Sequence, residues 1–115
     1  MPFEDAGLSH LQDILDSIHA IERFVSGMSL ESFAQDEKTQ AAVERKMLIL
    51  SEAAVRLREN AERLCPDVPW RDIRGIGNWL RHQYDSVETE IVWNTIQDDL
   101  PPLRASLQKV LNKLD

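Results

Sequence analysis

Apolar residues recur every three or four positions in the first quarter of the chain, which is the spacing of one face of a helix. They are Leu8, Leu11, Ile14, Leu15, Ile18, Ile21 and Val25. Gly27 follows this stripe, and glycine readily adopts the left-handed conformation that ends many helices. The pattern predicts a first helix that closes at Gly27, followed by a short polar link over residues 29–33.

A second apolar stripe alternates steps of four and three residues over three heptads. Its members are Val43, Met47, Leu50, Ala54, Leu57, Ala61 and Leu64. This unbroken spacing predicts the longest helix of the chain, which Pro66 and Pro69 end because proline cannot donate a backbone hydrogen bond. The stripe includes two alanines, so we expect this helix to pack closely against sister helices.

The third predicted helix begins near Trp70 and carries Ile73, Ile76, Leu80 and Tyr84 on one side. It contains Gly75 and Gly77, and each glycine costs about 1 kcal/mol relative to alanine in a helix interior. We therefore expect these glycines to serve a close approach or a local distortion of the backbone.

The last segment is helical from about Val87 to the end of the chain. Its apolar positions are Ile91, Ile96, Leu100, Leu103, Leu107, Val110, Leu111 and Leu114. Pro101 and Pro102 interrupt the segment, and they either begin a new helix or kink a continuous one.

The four segments predict one all-α domain over residues 1–115, an up-and-down bundle of four to five helices. Only four glycines and five prolines are present, and no run alternates strictly enough to form a sheet. The chain is 43% hydrophobic and 29% charged, which is compatible with a packed core.

The sequence shows no sign of a membrane or secretory location. No apolar run approaches the ~20 residues of a membrane span, and the first ten residues do not resemble a signal peptide. Cys65 is the only cysteine, so an internal disulfide and a cysteine-rich metal cluster are excluded. We expect a cytoplasmic protein with no metal site and no cofactor.

The overall charge argues against general binding to nucleic acid. The chain has 20 acidic and 13 basic residues, a net charge of -7, which is the wrong sign for a protein that tracks a phosphate backbone. Arg71, Arg74 and Arg81 nevertheless lie close together in the sequence, so a local basic site on an acidic body remains possible.

The polar face of the third helix has two interpretations. Arg74, Asn78, Arg81 and Asp85 fall within about 60° of each other on a helical wheel, with His82 at the edge. One interpretation is a solvated surface with ion pairs such as that between Arg81 and Asp85. The other is a site in which histidine moves protons and arginine stabilises a phosphoryl group, with the 2′-hydroxyl of RNA as the nucleophile and no metal.

Tyr84 is the only tyrosine and stands two positions after His82. One interpretation is a ring in the core with its hydroxyl near the surface. The alternative is a hydroxyl that accepts a covalent group from a partner enzyme.

These residues carry a family resemblance. The stretch WRDIRGIGNWLRHQYD at 70–85, with IVW at 91–93 and DLPPL at 99–103, resembles the signature of HepT-like toxins in the HEPN superfamily. The resemblance implies a homodimeric all-α bundle and a metal-independent ribonuclease whose R-x4-6-H-x-Y motif faces a cleft between subunits. It also implies a partner, a nucleotidyltransferase antitoxin of the MntA type that transfers AMP onto the motif tyrosine.

Within this resemblance, His82 and Tyr84 match the motif histidine and tyrosine, and Asn78 matches the polar residue that follows the motif arginine. Gly77 stands where that arginine is expected, so Arg74 or Arg81 would have to supply the cation. The hypothesis is an RNA-cleaving toxin with His82, Arg74, Arg81 and Asn78 as catalytic residues and Tyr84 as the modification site. The alternatives are a catalytically silent dimer that a nucleotidyltransferase binds and modifies, and a plain structural bundle.

Overall fold

The computed structural model describes the backbone of residues 2–82 and 88–113, and side chains over residues 7–81 and 88–113. Within these ranges all regular secondary structure is helical, so the predicted all-α fold is confirmed. The helices are α1 (Pro2–Phe24), α2 (Leu30–Ala34), α3 (Glu37–Leu57), α4 (Glu59–Leu64), α5 (Trp70–His82), α6 (Thr89–Asn94) and α7 (Leu100–Lys113), with a π-helical turn at Thr95–Asp99.

The core forms along the predicted stripes of α1 and α3, which make the most extensive contact between two helices. Leu11, Ile14, Ile18 and Ile21 on α1 are completely buried. Gly27 has a φ of +78° just after α1, as expected for a glycine that closes a helix. α5 packs on α3, and α7 packs on α1.

The expected polar link at residues 29–33 is instead part of a short helix, α2. The Ser29 hydroxyl accepts a hydrogen bond from the Ser32 backbone N–H at 3.1 Å, and the Ser32 hydroxyl accepts one from the Ser29 N–H at 2.9 Å. This reciprocal cap starts the helix. Phe33 is buried, with its ring centroid 5.4 Å from that of Trp93, so tertiary packing holds the turn in place.

The predicted second helix is divided into α3 and α4 at Arg58, which has φ 53° and ψ -140°. This backbone conformation is rare for any residue except glycine. The apolar stripe did not reveal the break, because Leu57 before it and Ala61 after it both face the same core.

The last segment follows one helical path from Thr89 to Lys113 through the π-helical turn. The backbone N–H of Leu100 donates to the carbonyl of Thr95, five residues earlier. Pro101 and Pro102 then occupy the first turn of α7, where their missing N–H groups cost little. The widened turn therefore lets the proline pair begin a new helix without a break in the path.

Among the described helices, none is long and apolar enough to cross a membrane. The buried polar side chains of the described ranges include Ser17 and Ser51. The hydroxyl of Ser51 forms two hydrogen bonds with the backbone of α5, so Ser51 is part of the site described next.

Candidate functional site

The start of α5 is fixed by Trp70. Its side chain is 2% exposed, and its indole Nε1 donates a 2.8 Å hydrogen bond to the backbone carbonyl of Cys65. Ile73 and Leu80 are also buried, so the apolar side of α5 lies against the core as its spacing predicted. The opposite side carries the polar candidates.

Gly77 is a point of close approach between α5 and α3. Its backbone N–H donates a 2.9 Å hydrogen bond to the hydroxyl of Ser51, which in turn donates a 2.9 Å hydrogen bond to the carbonyl of Arg74. A Cβ atom at position 77 would lie 2.8 Å from the Ser51 Oγ. The expectation of a close approach is thus confirmed at Gly77, whereas a Cβ at Gly75 would meet nothing within 4 Å.

The guanidinium group of Arg74 is directed toward the break between α3 and α4. Its Nη2 lies 2.8 Å from the carbonyl oxygen of Arg58, and its Nε lies 3.3 Å from that of Ala54. Its Nη1 lies 2.6 Å from Oε1 of Glu62, and this hydrogen-bonded pairing lowers the pKa of the Glu62 carboxyl. The charge of Arg74 is therefore engaged by groups of its own chain.

Arg81 is placed very differently. Its side chain is exposed, and its Nη1 lies 3.5 Å from the point where a Cβ of Gly77 would be. The guanidinium thus lies over the bare backbone of Gly77. It forms no ion pair with any residue in the described ranges. Asn78, one turn before His82, is also exposed.

His82 is the final residue of α5, so its backbone directly follows Arg81. The side chain of His82 lies outside the described residues, as do Tyr84 and Asp85. The structure therefore brings Asn78 and Arg81 to the carboxyl end of α5 and directs Arg74 elsewhere.

A hollow of about 400 Å³ lies along the first part and the middle of α5, against α3 and α6. Its apolar lining includes Met47, Ile76, Trp79, Ile91 and Val92. Gly75 borders the hollow, and Ile91 at its edge is 45% exposed.

No cluster of three or more His, Cys, Asp or Glu residues able to hold a metal ion occurs in the part of the chain that the structure describes. Cys65 is fully buried. Burial, followed by the nearby Asp67 carboxylate, raises the pKa of its thiol to about 11. A thiol in this state is a poor nucleophile.

Sequence reasoning missed the role of Ser51. Its neighbours Leu50, Ala53 and Ala54 are buried, so a serine among them was the available signal of a polar contact inside the core. The partner of that serine could not be read from the pattern, because it is backbone of another helix.

The family model described as HepT-like, "Ribonuclease HepT-like", matches residues 14–110. The chain belongs to the HepT-like family. The family resemblance seen in the sequence is thereby confirmed, and the match covers most of the chain.

Several curated proteins are similar to this HepT-like chain over nearly their whole length. A protein named "Probable ribonuclease HepT" from Thermococcus cleftensis is 35% identical over 101 residues, which is 88% of this chain and 92% of that protein. A "Putative RNase" from Caldanaerobacter subterraneus subsp. tengcongensis is 31% identical, and the match covers 90% of this chain and 93% of that protein. A "Putative RNase" from Methanocaldococcus jannaschii is 29% identical, and the match covers 100% of this chain and 94% of that protein. No solved structure matched.

Proposed function

We propose that this HepT-like chain is a metal-independent endoribonuclease whose site lies at the carboxyl end of α5. The observation that carries the proposal is the exposed guanidinium of Arg81, which lies over Gly77 without an ion-pair partner among the described residues and directly precedes His82. The relatives whose names identify them as ribonucleases support the choice of RNA as substrate.

The chemistry requires one proton-transfer group and one cation. The imidazole of His82 removes the proton from a 2′-hydroxyl, whose oxygen attacks the adjacent phosphorus while the bond to the 5′ oxygen breaks. The 5′ oxygen takes a proton from water as it leaves, and the other fragment ends in a 2′,3′-cyclic phosphate. Arg81 stabilises the negative charge that develops on the phosphoryl oxygens, and Asn78 orients the phosphate.

Of the two candidate cations, the contacts favour Arg81. Arg74 would have to give up its bonds to Ala54, Arg58 and Glu62 before it could reach a substrate. We therefore assign Arg74 to the positioning of α5 against α3 and α4, and the contact with the phosphate to Arg81.

The site is completed by a second copy of the chain. The hollow beside α5 offers exposed Ile91 and the small Gly75, where a neighbouring helix can approach closely. Two copies that meet there bring two basic ends of α5 together, and an RNA phosphate between them offsets the repulsion. Sedimentation should give a dimer, and a monomer at all concentrations would contradict the shared site.

In the cell, we propose that the protein is a cytoplasmic toxin controlled by a nucleotidyltransferase antitoxin. The antitoxin would transfer AMP from ATP to the hydroxyl of Tyr84, with pyrophosphate as the leaving group. Because Tyr84 is two residues from His82, the added phosphate would compete with RNA for Arg81.

A catalytically silent dimer is the second candidate, and the contact at Gly77 favours it. A side chain at this position would collide with Ser51, so the site lacks any cation there. In this case the chain binds a nucleotidyltransferase and is modified by it without cleaving RNA.

The test is cleavage of RNA by the purified chain, free of any partner, in the presence of a chelator. The wild type should cleave and His82→Ala should not, while equal cleavage by both would contradict the proposal.

Intact mass after incubation with ATP and a nucleotidyltransferase encoded beside the chain tests the second candidate. Addition of AMP at Tyr84, without prior RNA cleavage by the unmodified chain, would support it.

A further inference from the structure

A groove of about 340 Å³ adjoins the hollow beside α5, with which it shares Asp72, Ile76 and Thr95, and extends between the start of α5, the π-helical turn and the start of α7. Buried apolar side chains form its floor, namely Val68, Ile73, Leu100 and Leu103. Four exposed carboxylates stand around it, those of Asp67, Asp72, Asp98 and Asp99. We call this feature the acidic groove.

The carboxylates of the acidic groove are not neutralised within the subunit. No basic side chain lines the groove, and none of the four aspartates forms an ion pair within the described ranges. Asp67 accepts a 2.8 Å hydrogen bond from the hydroxyl of Ser106, and this bond orients the carboxylate without neutralising its charge. Partial desolvation against the groove raises the pKa of the Asp99 carboxyl, and the charges of Asp98 and Asp72 raise it further.

The shape and charge of the groove together select the class of ligand. RNA is disfavoured because its phosphates would face four negative charges. A single metal ion is disfavoured because no three acidic or histidine side chains in the described ranges come close enough to bind one. An arginine or lysine side chain fits both features, since its aliphatic stem can lie on the apolar floor while its charged end meets the carboxylates.

We propose that the acidic groove binds a basic segment of a protein partner, in which arginine or lysine residues are flanked by apolar residues. The groove volume is at the small end of the range for ligand sites, so it holds one or two side chains rather than a large molecule. The carboxylates are carried by the loop before α5, by α5 and by the π-helical turn, so an extended segment can contact several of them. The proposal does not depend on cleavage of RNA by the chain.

The test uses a short fluorescent peptide of alternating arginine and leucine and measures its affinity by anisotropy. Saturable binding to the full chain is expected, with an affinity that falls as salt is added. The variant Asp98→Asn with Asp99→Asn should weaken binding about five- to tenfold, as expected for two exposed charge contacts. The matched control is Glu31→Gln with Glu90→Gln, which removes the same charge outside the groove and should change the affinity less than twofold.

Two further measurements distinguish binding in the acidic groove from simple charge attraction and from self-association of the chain. A peptide of alternating arginine and glycine should bind at least tenfold more weakly, because it does not cover the apolar floor. Equal affinity for the two peptides, equal effects of the two variant pairs, or no saturable binding would overturn the proposal. A change in the sedimentation of the Asp98 and Asp99 variant alone would show that a second copy occupies the groove and would also overturn it.

Discussion

The Ser51 hydroxyl accepts a 2.9 Å hydrogen bond from the backbone N–H of Gly77, so α3 and α5 meet there with no side chain of α5 between them. The same hydroxyl donates to the carbonyl of Arg74 one turn earlier. The Ser51 hydroxyl thus fixes the position of α5 along α3 and the rotation of α5 about its own axis. The direction in which Arg81 leaves the helix follows from that placement.

Replacement of the two α5 glycines should have opposite effects on stability. Gly77→Ala would push a methyl group against Ser51 and break both of its hydrogen bonds, so we expect a loss of about 1–3 kcal/mol in the free energy of unfolding. Gly75→Ala is the matched control, because its methyl group meets nothing within 4 Å and should stabilise the subunit by up to ~1 kcal/mol. Urea denaturation of both variants tests this, and equal effects would contradict the close approach.

Arg58→Gly should stabilise the protein, although it removes a charged side chain. At φ 53° and ψ -140° an arginine is strained and a glycine is not. The carbonyl that accepts the hydrogen bond from Arg74 belongs to the backbone and remains. After the greater flexibility of glycine in the unfolded chain is subtracted, a gain of about 1 kcal/mol is expected. A lower midpoint in thermal unfolding would contradict this reading of the break.

Arg74→Gln should destabilise the protein by about 1–2 kcal/mol near neutral pH, because charged hydrogen bonds to the Ala54 and Arg58 carbonyls are lost. The variant should also respond less to acid. The hydrogen bond from Arg74 lowers the pKa of Glu62 in the folded state below its ordinary value of 4.5. The unfolded chain then binds more protons, so this contribution is present above pH 4.5 and is lost as the pH falls through the lower folded pKa.

Denaturation of Arg74→Gln and wild type across the acid range measures this difference. The difference in the free energy of unfolding between the wild type and Arg74→Gln should be largest at neutral pH and should become smaller on acidification. Arg56→Gln is the control, since Arg56 forms only an exposed ion pair with Glu52 on the same helix. A gap that stays constant with pH would show that the pairing with Glu62 contributes nothing.

Cys65 should react with thiol reagents only when the protein unfolds. The side chain is fully buried, and a pKa of about 11 leaves almost no thiolate at pH 8. The rate of modification by an aromatic disulfide should therefore follow the global unfolding equilibrium as urea is added. Rapid modification in native buffer would indicate local opening between α4 and α5.

Much of the fold could be predicted from the spacing of apolar residues. The stripes of α1 and α3 identify the core, and Gly27 correctly marks the end of α1. The break at Arg58 could not be predicted, because a change of backbone direction that keeps the same face toward the core leaves the stripe intact. The short helix α2 was missed because its stability comes from a local cap and from the packing of Phe33.

The candidate site was less accessible to sequence reasoning. A helical wheel places Arg74 and Arg81 on one face, and it treats their side chains as equivalent. The structure separates them, since Arg74 bonds to carbonyls across the α3–α4 break while Arg81 stays exposed over Gly77. Long side chains choose between partners on other helices, and that choice depends on tertiary contacts that no single-helix pattern contains. The assignment of His82 and Tyr84 stays a prediction.

The most direct measurement of the central claim is the RNA cleavage rate of Arg81→Gln, compared with Arg23→Gln, which removes an exposed arginine at the end of α1. Loss of one group that stabilises transition-state charge costs ~10²- to 10³-fold in rate, so Arg81→Gln should fall by this factor at unchanged stability while Arg23→Gln cleaves as wild type does. Equal rates for all three proteins would contradict the assignment of Arg81 as the cation of the site.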